Sequence, residues 1–369
     1  MTSTVAIFRK RLLSYSETFI ADQGRGLPTW RGVFCGYQRD SSGQHLLADA
    51  PQILLEDHGN LAFLSKFLMR HEIGGGKHWL DAIAQQSPEL IHAHFFNDGT
   101  DAVKIGRRLD IPVITTVHGH DITKHENAQV GNSLNRQFFE RVDRVIAVSD
   151  FIAEQALARG CPEEKLLQHY IGIDLERFRQ TRQETEHPSL LFVGRLVEKK
   201  GCTYLLQAMS RLRADYPELQ LTIIGSGDLE SALREEARER ELNVSFAGTL
   251  SADEIRTQLA RCWVFVAPSV TARNGDTEGL GMVFLEAQAL QTPVASYRSG
   301  GLVEAVEEGV SALLSDERDV AGLADNIATL LENRTLRHNM GKAGRARVER
   351  GFDLRKQCAK LESIYAKLR

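Results

Sequence analysis

Two pairs of charged residues in the second half of the chain could together bind a diphosphate that carries a sugar. Arg195 and Lys200 are five residues apart, and Glu278 and Glu286 have seven residues between them. Two cations can neutralise a diphosphate, and one carboxylate can accept hydrogen bonds from two sugar hydroxyl groups. Either pair alone also fits a solvent-exposed helix face. The secondary-structure elements around each pair are therefore needed to distinguish a ligand site from a solvated surface.

The cationic pair falls in a predicted strand-to-helix loop. The run Ser189–Val193 is typical of a buried parallel strand, and residues 201–212 are typical of an amphipathic helix. Arg195 and Lys200 lie between these two elements. Open parallel sheets bind their ligands in such loops, so this context favours a ligand site.

The acidic pair belongs to a second strand–loop–helix segment. A strand is predicted over residues 263–266, a polar loop follows over 271–277, and a helix is predicted over 281–290. Glycines would let the backbone approach a ligand, and the helix N-terminus would present free N–H groups and a positive dipole end to phosphate. Glu286 lies inside this helix, and Glu278 precedes it.

In combination these motifs resemble a known family, the retaining GT-B glycosyltransferases of the glycogen-synthase-like type, often called family four. The resemblance extends over nearly the whole chain and rests on Gly194-Arg195 with Lys200, Glu278 with Glu286, Ala267-Pro268-Ser269, His118-Gly119-His120-Asp121, Ala147-Val148-Ser149, and Gly172-Ile173-Asp174 with Phe178. The segment Ser14-Tyr15-Ser16-Glu17-Thr18-Phe19 looks like that of a bacterial exopolysaccharide or lipopolysaccharide subgroup.

The resemblance implies an α/β GT-B fold, with two Rossmann-like parallel-sheet domains that face each other across a cleft. A length of 369 residues is compatible with two domains. We expect an acceptor-binding domain over residues 1–179, a polar linker over 180–188 and a donor-binding domain over 189–351. An apolar stripe over 354–368 predicts a final helix, and the resemblance implies that residues 352–369 cross back to the first domain.

The strand pattern agrees with this architecture, because strands alternate with helices throughout, and such alternation implies parallel sheets covered by helices. Strands are predicted over residues 5–8, 32–35, 90–93, 112–117 and 145–148 in the first half, and over 190–193, 219–224, 244–246, 263–266 and 294–296 in the second.

For the second domain, the resemblance implies a set of donor-binding roles. Arg195 and Lys200 would hold the diphosphate leaving group and stabilise its growing charge, a role that replaces a divalent metal. Glu286 would bind the ribose hydroxyl groups, and Glu278 would bind the transferred hexose. Gly225 could line the nucleotide side, although strand-Gly-x-Gly turns are frequent without ligands. The remaining donor-binding positions are Gly194, Gly279, Leu280, Gly281 and Met282, the last four through backbone N–H groups.

In the first domain, the resemblance implies that His118 touches the transferred sugar near the reaction centre. The alternative is a histidine that caps its strand through backbone hydrogen bonds, and Asp121 is predicted to be an N-cap. Ser16, Glu17 and Thr18 could offer hydroxyl and backbone donors to an acceptor or a phosphate, although this loop lacks the glycines that many relatives carry there. His118 joins Arg195, Lys200 and Glu278 as the expected catalytic residues.

Retention of the anomeric configuration, which the family implies, raises the question of the nucleophile. A double displacement needs a carboxylate near C1 of the sugar, and Glu278 and Glu286 are already assigned to hydroxyl groups. We therefore expect front-face departure, in which the leaving phosphate itself deprotonates the acceptor hydroxyl.

No metal or other cofactor is expected beyond the nucleotide sugar, which is a co-substrate. The nearest candidate ligands are two histidine pairs, His92 with His94 and His118 with His120. We expect the two rings of each pair to point to opposite faces of the strand and therefore not to share a metal ion.

The composition indicates a cytoplasmic globular protein. A net charge of −4 and a pI near 6.3 favour no nucleic-acid partner. The five cysteines form no CxxC pair and are expected to be buried thiols in a reducing compartment. No signal peptide or membrane-spanning run is evident. Mixed basic and apolar runs over 9–13 and 63–70 could give peripheral contact with the inner face of the cell membrane, although residues 61–69 also fit a core helix.

We therefore predict an enzyme that moves a hexose from a UDP- or GDP-sugar to a saccharide or lipid-linked saccharide acceptor. Two alternatives are a GT-B nucleotide-sugar epimerase or hydrolase, which would turn over UDP-sugar without an acceptor, and a catalytically silent nucleotide-sugar-binding protein. The sequence leaves the nucleobase, the hexose, the acceptor and the oligomeric state open.

Overall fold

The computed structural model describes residues 2–58, 66, 68, 75–124, 133–179 and 181–368. The predicted membrane-contact segment 63–70 lies outside the described residues, apart from Lys66 and Leu68. The chain folds into two compact units, which are Met1–Ile173 together with Leu354–Arg369, and Asp174–Asp353.

The first unit is built on a parallel sheet. Its strands are β1 (Thr4–Phe8), β2 (Arg11–Leu12), β3 (Arg31–Gly36), β4 (Gln38–Arg39), β5 (Gln52–Leu54), β6 (Leu90–His94), β7 (Val113–Val117), β8 (Arg144–Ala147) and β9 (Leu166–Gln168). Its helices before the second unit are α1 (Thr18–Arg25), α2 (Lys77–Ala84), α3 (Phe96–Leu109), α4 (His120–Thr123), α5 (Ser133–Arg141) and α6 (Asp150–Ala158). In the described residues, seven strands follow the order β5-β3-β1-β6-β7-β8-β9, and β2 pairs separately with β4.

The second unit is built in the same way. Its strands are β10 (Ser189–Val193), β11 (Gln220–Ile224), β12 (Val244–Gly248), β13 (Val264–Val266), β14 (Val294–Tyr297) and β15 (Ala312–Ser315). Its helices are α7 (Cys202–Leu212), α8 (Glu230–Glu239), α9 (Ala252–Arg261), α10 (Met282–Ala289), α11 (Leu302–Ala305), α12 (Val320–Glu332) and α13 (Arg334–Gly351). The strand order is β12-β11-β10-β13-β14-β15, and all neighbours are parallel.

Both sheets have a switch point where the strand order reverses. In the first sheet β1 lies between β3 and β6, and in the second β10 lies between β11 and β13. Ligands of open α/β sheets bind outside the carboxyl ends of the strands at such points. The strands there are buried on both faces, as β1, β6 and β13 show along their full length, which explains the near-continuous apolar sequences of β1 and β13.

The last helix, α14 (Leu354–Tyr365), belongs to the first unit, as predicted. Its stripe of Leu354, Cys358, Leu361 and Tyr365 lies in the same apolar core as Val5 of β1. Burying such a stripe is what stabilises an amphipathic helix. The prediction of two parallel α/β sheets with a returning C-terminal helix is therefore confirmed.

Residues of the predicted linker pack onto the second unit. The amide of Gln183 donates to the carbonyl of Ala260 at 2.9 Å, and the indole N–H of Trp263 donates to the carbonyl of Thr185 at 2.9 Å. The guanidinium of Arg337 binds Glu184 at 3.0 Å. This segment is thus held by backbone and side-chain bonds rather than left as a free tether.

The five cysteines are all buried thiols, as predicted. Among the residues that the structure describes, no helix has the length and apolar character needed to cross a membrane.

Candidate active site

The loop after β10 is held against the loop after β11 by backbone hydrogen bonds. The amide of Gly194 donates to the carbonyl of Ile224 at 2.9 Å, and the amide of Leu196 donates to that of Ser226 at 2.9 Å. Gly225 has a φ of +136°, and a Cβ there would lie 1.9 Å from the carbonyl oxygen of Gly194. This close approach requires glycine whether or not a ligand binds there.

The loop after β10 also touches the loop after β13. Gly201 has a φ of +66°, and a Cβ on it would lie 1.8 Å from the carbonyl oxygen of Pro268. Beside it, the amide of Val270 donates to the carbonyl of Lys199 at 2.8 Å. The Ala267-Pro268-Ser269 motif is therefore the place where the two site-bearing loops meet.

Lys200 and Glu278, predicted from opposite motifs, form an ion pair in the structure. The Lys200 ammonium donates to Glu278 Oε2. Glu278 itself is only 8% exposed. The structure thus brings one residue of each predicted pair into direct contact at the β10/β13 switch point.

The neighbouring Lys199 is a site residue that sequence reasoning missed. Its ammonium lies 2.9 Å from Asp276 Oδ1, 3.4 Å from the carbonyl oxygen of Thr277 and 3.8 Å from Glu278 Oε1. Lys199 is 6% exposed, and a lysine is rarely buried to that degree unless it is paired. The only available signal in the sequence was its place beside Lys200.

These cations determine the charge state of Glu278. Burial raises the pKa of a carboxyl group, but the charges of Lys200, Lys199 and Arg195, together with the Lys200 hydrogen bond, lower the pKa of Glu278 to about 2. Glu278 is therefore a carboxylate at neutral pH. Arg195 is exposed and its side chain makes no hydrogen bond or ion pair with the described residues, so its guanidinium is available to a ligand.

Glu286 lies on α10, whose start is shaped by glycine. Gly281 precedes the helix at a φ of +82°, and a Cβ there would lie 2.6 Å from Cδ2 of Phe284. Gly279 and Leu280 come directly before it, and Met282 is the first helical residue. The observed helix agrees with the predicted span of 281–290 to within a residue at each end, and Glu286 is half-buried there.

In the first unit, His118 follows β7 and belongs to a stack of rings. His94 Nδ1 and His118 Nε2 share a hydrogen bond at 3.1 Å, and their ring centroids are 5.3 Å apart. The ring of Phe95 lies 4.5 Å from that of His118, and Phe19 lies 5.0 Å from it on another side. His118 is therefore packed among aromatic and imidazole rings, which the alternative of backbone capping did not predict.

The expectation that His92 and His94 point to opposite faces is wrong. Their rings stack with centroids 4.5 Å apart, because residues two apart on a strand share a face. His92 also bonds to the hydroxyl groups of Tyr365 and Thr116, each at 2.7 Å. Burial lowers the pKa of His92 to about 3, and it lowers the pKa values of His94 and His118 well below their usual range. All three rings are neutral at physiological pH.

Asp121 ties two loops together and does not cap α4, so the N-cap prediction is wrong. Gly119 occupies the N-cap position. The Asp121 carboxylate accepts from the amides of Phe96 at 2.9 Å, His118 at 3.1 Å and Gly119 at 2.8 Å. This carboxylate joins the ends of β6 and β7. It therefore fixes the position of the turn that begins at His118.

The predicted loop with Ser16, Glu17 and Thr18 uses its carboxylate internally. Glu17 accepts from the guanidinium of Arg9 and from the amide of Ser14, the latter at 3.0 Å. Arg9 also donates to Asp98. Thr18 starts α1, and the hydroxyl group of Ser16 lies 3.3 Å from that of Ser14. Glu17 thus orients Arg9, while Ser16 and Thr18 stay predicted ligand contacts.

Within the described residues, no group of three or more His, Cys, Asp or Glu side chains is arranged to hold a metal ion.

Comparison with known proteins agrees with the sequence motifs. Residues 174–347 match the family described as glycosyl transferases group 1, and residues 43–177 match glycosyltransferase family 4. The putative colanic acid biosynthesis glycosyltransferase WcaL of Salmonella typhimurium is 32% identical over 65% of this chain, and the match spans 61% of the relative's length. The amylovoran biosynthesis glycosyltransferase AmsK of Erwinia amylovora is 30% identical over 72% of this chain and 67% of its own length.

The fold comparison points the same way. The crystal structure of Anabaena Alr3699/HepE in complex with UDP and glucose superposes with a TM-score of 0.80 at 18% identity, and the alignment covers 99% of each chain. At that identity the likeness establishes the fold. The chain therefore belongs to the group 1 family of glycosyltransferases and has the GT-B fold.

Proposed function

We propose that this protein is a retaining hexosyltransferase that moves a hexose from a UDP- or GDP-sugar to a saccharide or lipid-linked saccharide acceptor. The observation that carries the proposal is the cluster at the β10/β13 switch point, where Arg195, Lys199 and Lys200 surround an ionised Glu278. Such a cluster has the charge and the acceptor needed for a diphosphate next to a sugar.

The charge balance of the cluster favours an anionic ligand. Its cations are Arg195, Lys199 and Lys200, and its carboxylates are Asp276 and Glu278, so positive charge is in excess by one. A diphosphate gains negative charge as the sugar departs, and fixed cations lower the energy of that transition state without reorganisation. The cluster would therefore supply the charge neutralisation that other glycosyltransferases obtain from a divalent metal.

Glu278 has the right protonation state for a sugar contact. An ionised carboxylate only accepts hydrogen bonds and has about four acceptor positions. Lys200 occupies one of these, and Lys199 lies 3.8 Å from the other oxygen. Positions therefore remain for hydroxyl groups of the hexose, and Glu286 on α10 would take those of the ribose.

We propose front-face departure for the chemical step. Asp276 and Glu278 are both held by lysines, and a carboxylate so held is a weak nucleophile toward C1. The leaving phosphate would take the proton of the acceptor hydroxyl while the new glycosidic bond forms on the same face. The contribution of the protein would be orientation and electrostatics. His118, through its solvent-facing part, would contact the transferred sugar.

The relatives support sugar substrates for this chain. The names of WcaL and AmsK refer to the biosynthesis of colanic acid and amylovoran, and the HepE structure contains UDP and glucose. A lipid-linked acceptor would place the protein in the cytoplasm at the inner face of the membrane. Cosedimentation with anionic liposomes at low salt tests that placement, and no binding would remove it.

The experiment that tests the function has two stages. A thermal-shift screen with UDP-, GDP- and ADP-sugars should identify one donor class, because a ligand at 100 times its Kd stabilises by about 2.7 kcal/mol. Transfer of that sugar to saccharide acceptors is then followed with and without EDTA, and NMR reads the anomeric configuration of the product. Donor turnover without any acceptor would point to a hydrolase or epimerase, and an inverted product would refute the retaining mechanism.

A further inference from the structure

Lys199 is a buried cation whose known partners all lie on the loop that carries Glu278. Its ammonium bonds to Asp276 and to the carbonyl of Thr277, and it lies near Glu278 Oε1. Its own carbonyl accepts from Val270 in the same loop. With its three N–H donors directed at this loop, Lys199 is poorly placed to bind a ligand itself.

The two adjacent lysines therefore form their shortest ion pairs with different carboxylates. Lys200 has Glu278 as its ion-pair partner, whereas Lys199 is closest to Asp276 and adds its charge to Glu278 from a second side. Arg195 contributes a third positive charge to the same carboxylate. Glu278 is thus stabilised by more cations than the one that directly bonds to it.

We infer that Lys199 is a positioning residue, which keeps Glu278 ionised and oriented so that Lys200 can turn from Glu278 to the diphosphate of the donor. This inference rests on the proposed donor site. In the unliganded chain Lys200 is occupied by Glu278, so a diphosphate must compete with that carboxylate for the same ammonium group. A second cation that stays beside Glu278 lowers the free-energy cost of moving Lys200 from Glu278 to the diphosphate.

The test is a double-mutant cycle with nucleotide binding as the readout. Lys199→Met should weaken binding of UDP or GDP, whichever the wild-type chain binds, by about tenfold, since Lys200 then remains as the bonded counter-ion of Glu278. In a Glu278→Gln background there is no carboxylate to hold Lys200, so Lys199→Met should change the affinity less than about twofold. Lys165→Met is the matched control, because the Lys165 ammonium binds the backbone carbonyls of residues 139, 140 and 142 in the first unit, away from the cationic cluster.

The outcomes separate positioning from general damage to the loop. An unchanged affinity in Lys199→Met overturns the inference. An equal loss in both backgrounds also overturns it, because that result shows that Lys199 supports the loop and does not act through the charge of Glu278.

A second readout needs no nucleotide. The lowered pKa of Glu278 means that its charge contributes stability that is fully present above the pKa of the unfolded chain and is lost as the pH falls from there through about 2. In Lys199→Met the pKa of Glu278 in the folded chain should be higher, so the carboxylate should contribute less stability at pH 7. The readout is the difference in urea-unfolding free energy at pH 7 between each chain and its Glu278→Gln version. An identical difference in both chains overturns the inference, and if wild type binds neither UDP nor GDP, the proposed function fails while this comparison still tests Lys199.

Discussion

The two sheets of this chain have the same strand order around their switch points, but the side chains at the two points differ in charge. At the end of β1 and β6, Arg9 is paired with both Glu17 and Asp98, and neutral histidines stack beside Phe95. At the end of β10 and β13, three cations face two carboxylates. The first switch point is aromatic and has one more carboxylate than cations, whereas the second has one more cation than carboxylates.

This difference shows that the topology positions a site and the loops decide its chemistry. Parallel strands bring their carboxyl ends to one edge of each sheet. In the first unit those ends carry neutral rings and an arginine that is already ion-paired, which suit an uncharged sugar. In the second unit they carry lysines and an arginine, which suit a diphosphate. The two edges therefore differ in the ligands that their side chains favour.

The largest expected difference between the two switch points is their response to acid. His92, His94 and His118 stay neutral in the folded chain below pH 6.5, where the unfolded chain binds protons, so stability falls as the pH falls. The loss is about 1.4 kcal/mol per pH unit for each histidine that stays neutral. The lowered pKa of Glu278, about 2, adds no such loss in this range. Hydrogen exchange at pH 7 and 5.5, corrected for intrinsic rates, should show β6 and β7 losing protection before β10 and β13. Equal losses in both units would contradict this difference.

Removal of Lys200 should have the largest effect among single substitutions in the cationic site. Lys200→Ala deletes the bonded partner of Glu278 and one charge-assisted bond to the diphosphate, a loss of about 1.5 to 3 kcal/mol, or roughly ten- to a hundredfold in nucleotide affinity. Lys342→Ala, an exposed lysine on α13, is the control and should bind like wild type. Wild-type affinity in Lys200→Ala would place the phosphates elsewhere.

Substitution of the two glutamates should affect different quantities, nucleotide affinity for Glu286 and turnover for Glu278. Glu286→Gln removes a charge that binds ribose in both ground and transition states, so it should weaken binding of the donor and of free nucleotide alike. Glu278→Gln should lower turnover by about ten- to a hundredfold without weakening the affinity for free UDP or GDP, because it removes the carboxylate that competes for Lys200. The two variants are compared by calorimetric nucleotide affinity and by steady-state transfer rate. An equal loss of nucleotide affinity in both variants would refute this division of labour.

A smaller effect is expected at the aromatic switch point. His118→Ala should slow transfer by up to about tenfold, the value of one hydrogen bond, and leave nucleotide affinity as in wild type. Because its pKa is lowered by burial, His118 should add no step to the rate profile between pH 6 and 8. His78→Ala, an exposed histidine of the same unit, is the matched control. A tenfold loss of nucleotide affinity in His118→Ala would contradict the separation of the two sites.

Much of the fold could be predicted because its main strands are buried on both faces. Residues 90–93 and 190–193 were predicted as strands, and the observed β6 and β10 extend them by one residue. The strands β2, β4, β5, β9 and β15 were missed. The first four have only two or three residues each, and β15 follows a turn that gives little periodic signal.

The candidate site was less predictable, because its contacts join distant parts of the chain. Lys199 meets Asp276 across 77 residues, and nothing in the local sequence identifies Lys199 as a buried lysine. The histidine stack depends on the register of β6 with β7, in which His92 lies beside Ile114 and His94 beside Thr116. The sequence motifs indicated which loops form the candidate site. Which charged side chains pair with each other there depends on tertiary contacts.

The central claim is that the cationic switch point binds a nucleoside diphosphate, and calorimetric titration of UDP and GDP into the wild type and Arg195→Ala tests it most directly. Arg195 is exposed and its side chain makes no bond to the described residues, so removing that side chain should leave the fold intact. The prediction is binding of one nucleotide by the wild type and binding weaker by roughly ten- to a hundredfold in Arg195→Ala. Arg213→Ala, at the other end of α7, should match the wild type. Equal affinity in wild type and Arg195→Ala, or binding of neither nucleotide, would contradict the account.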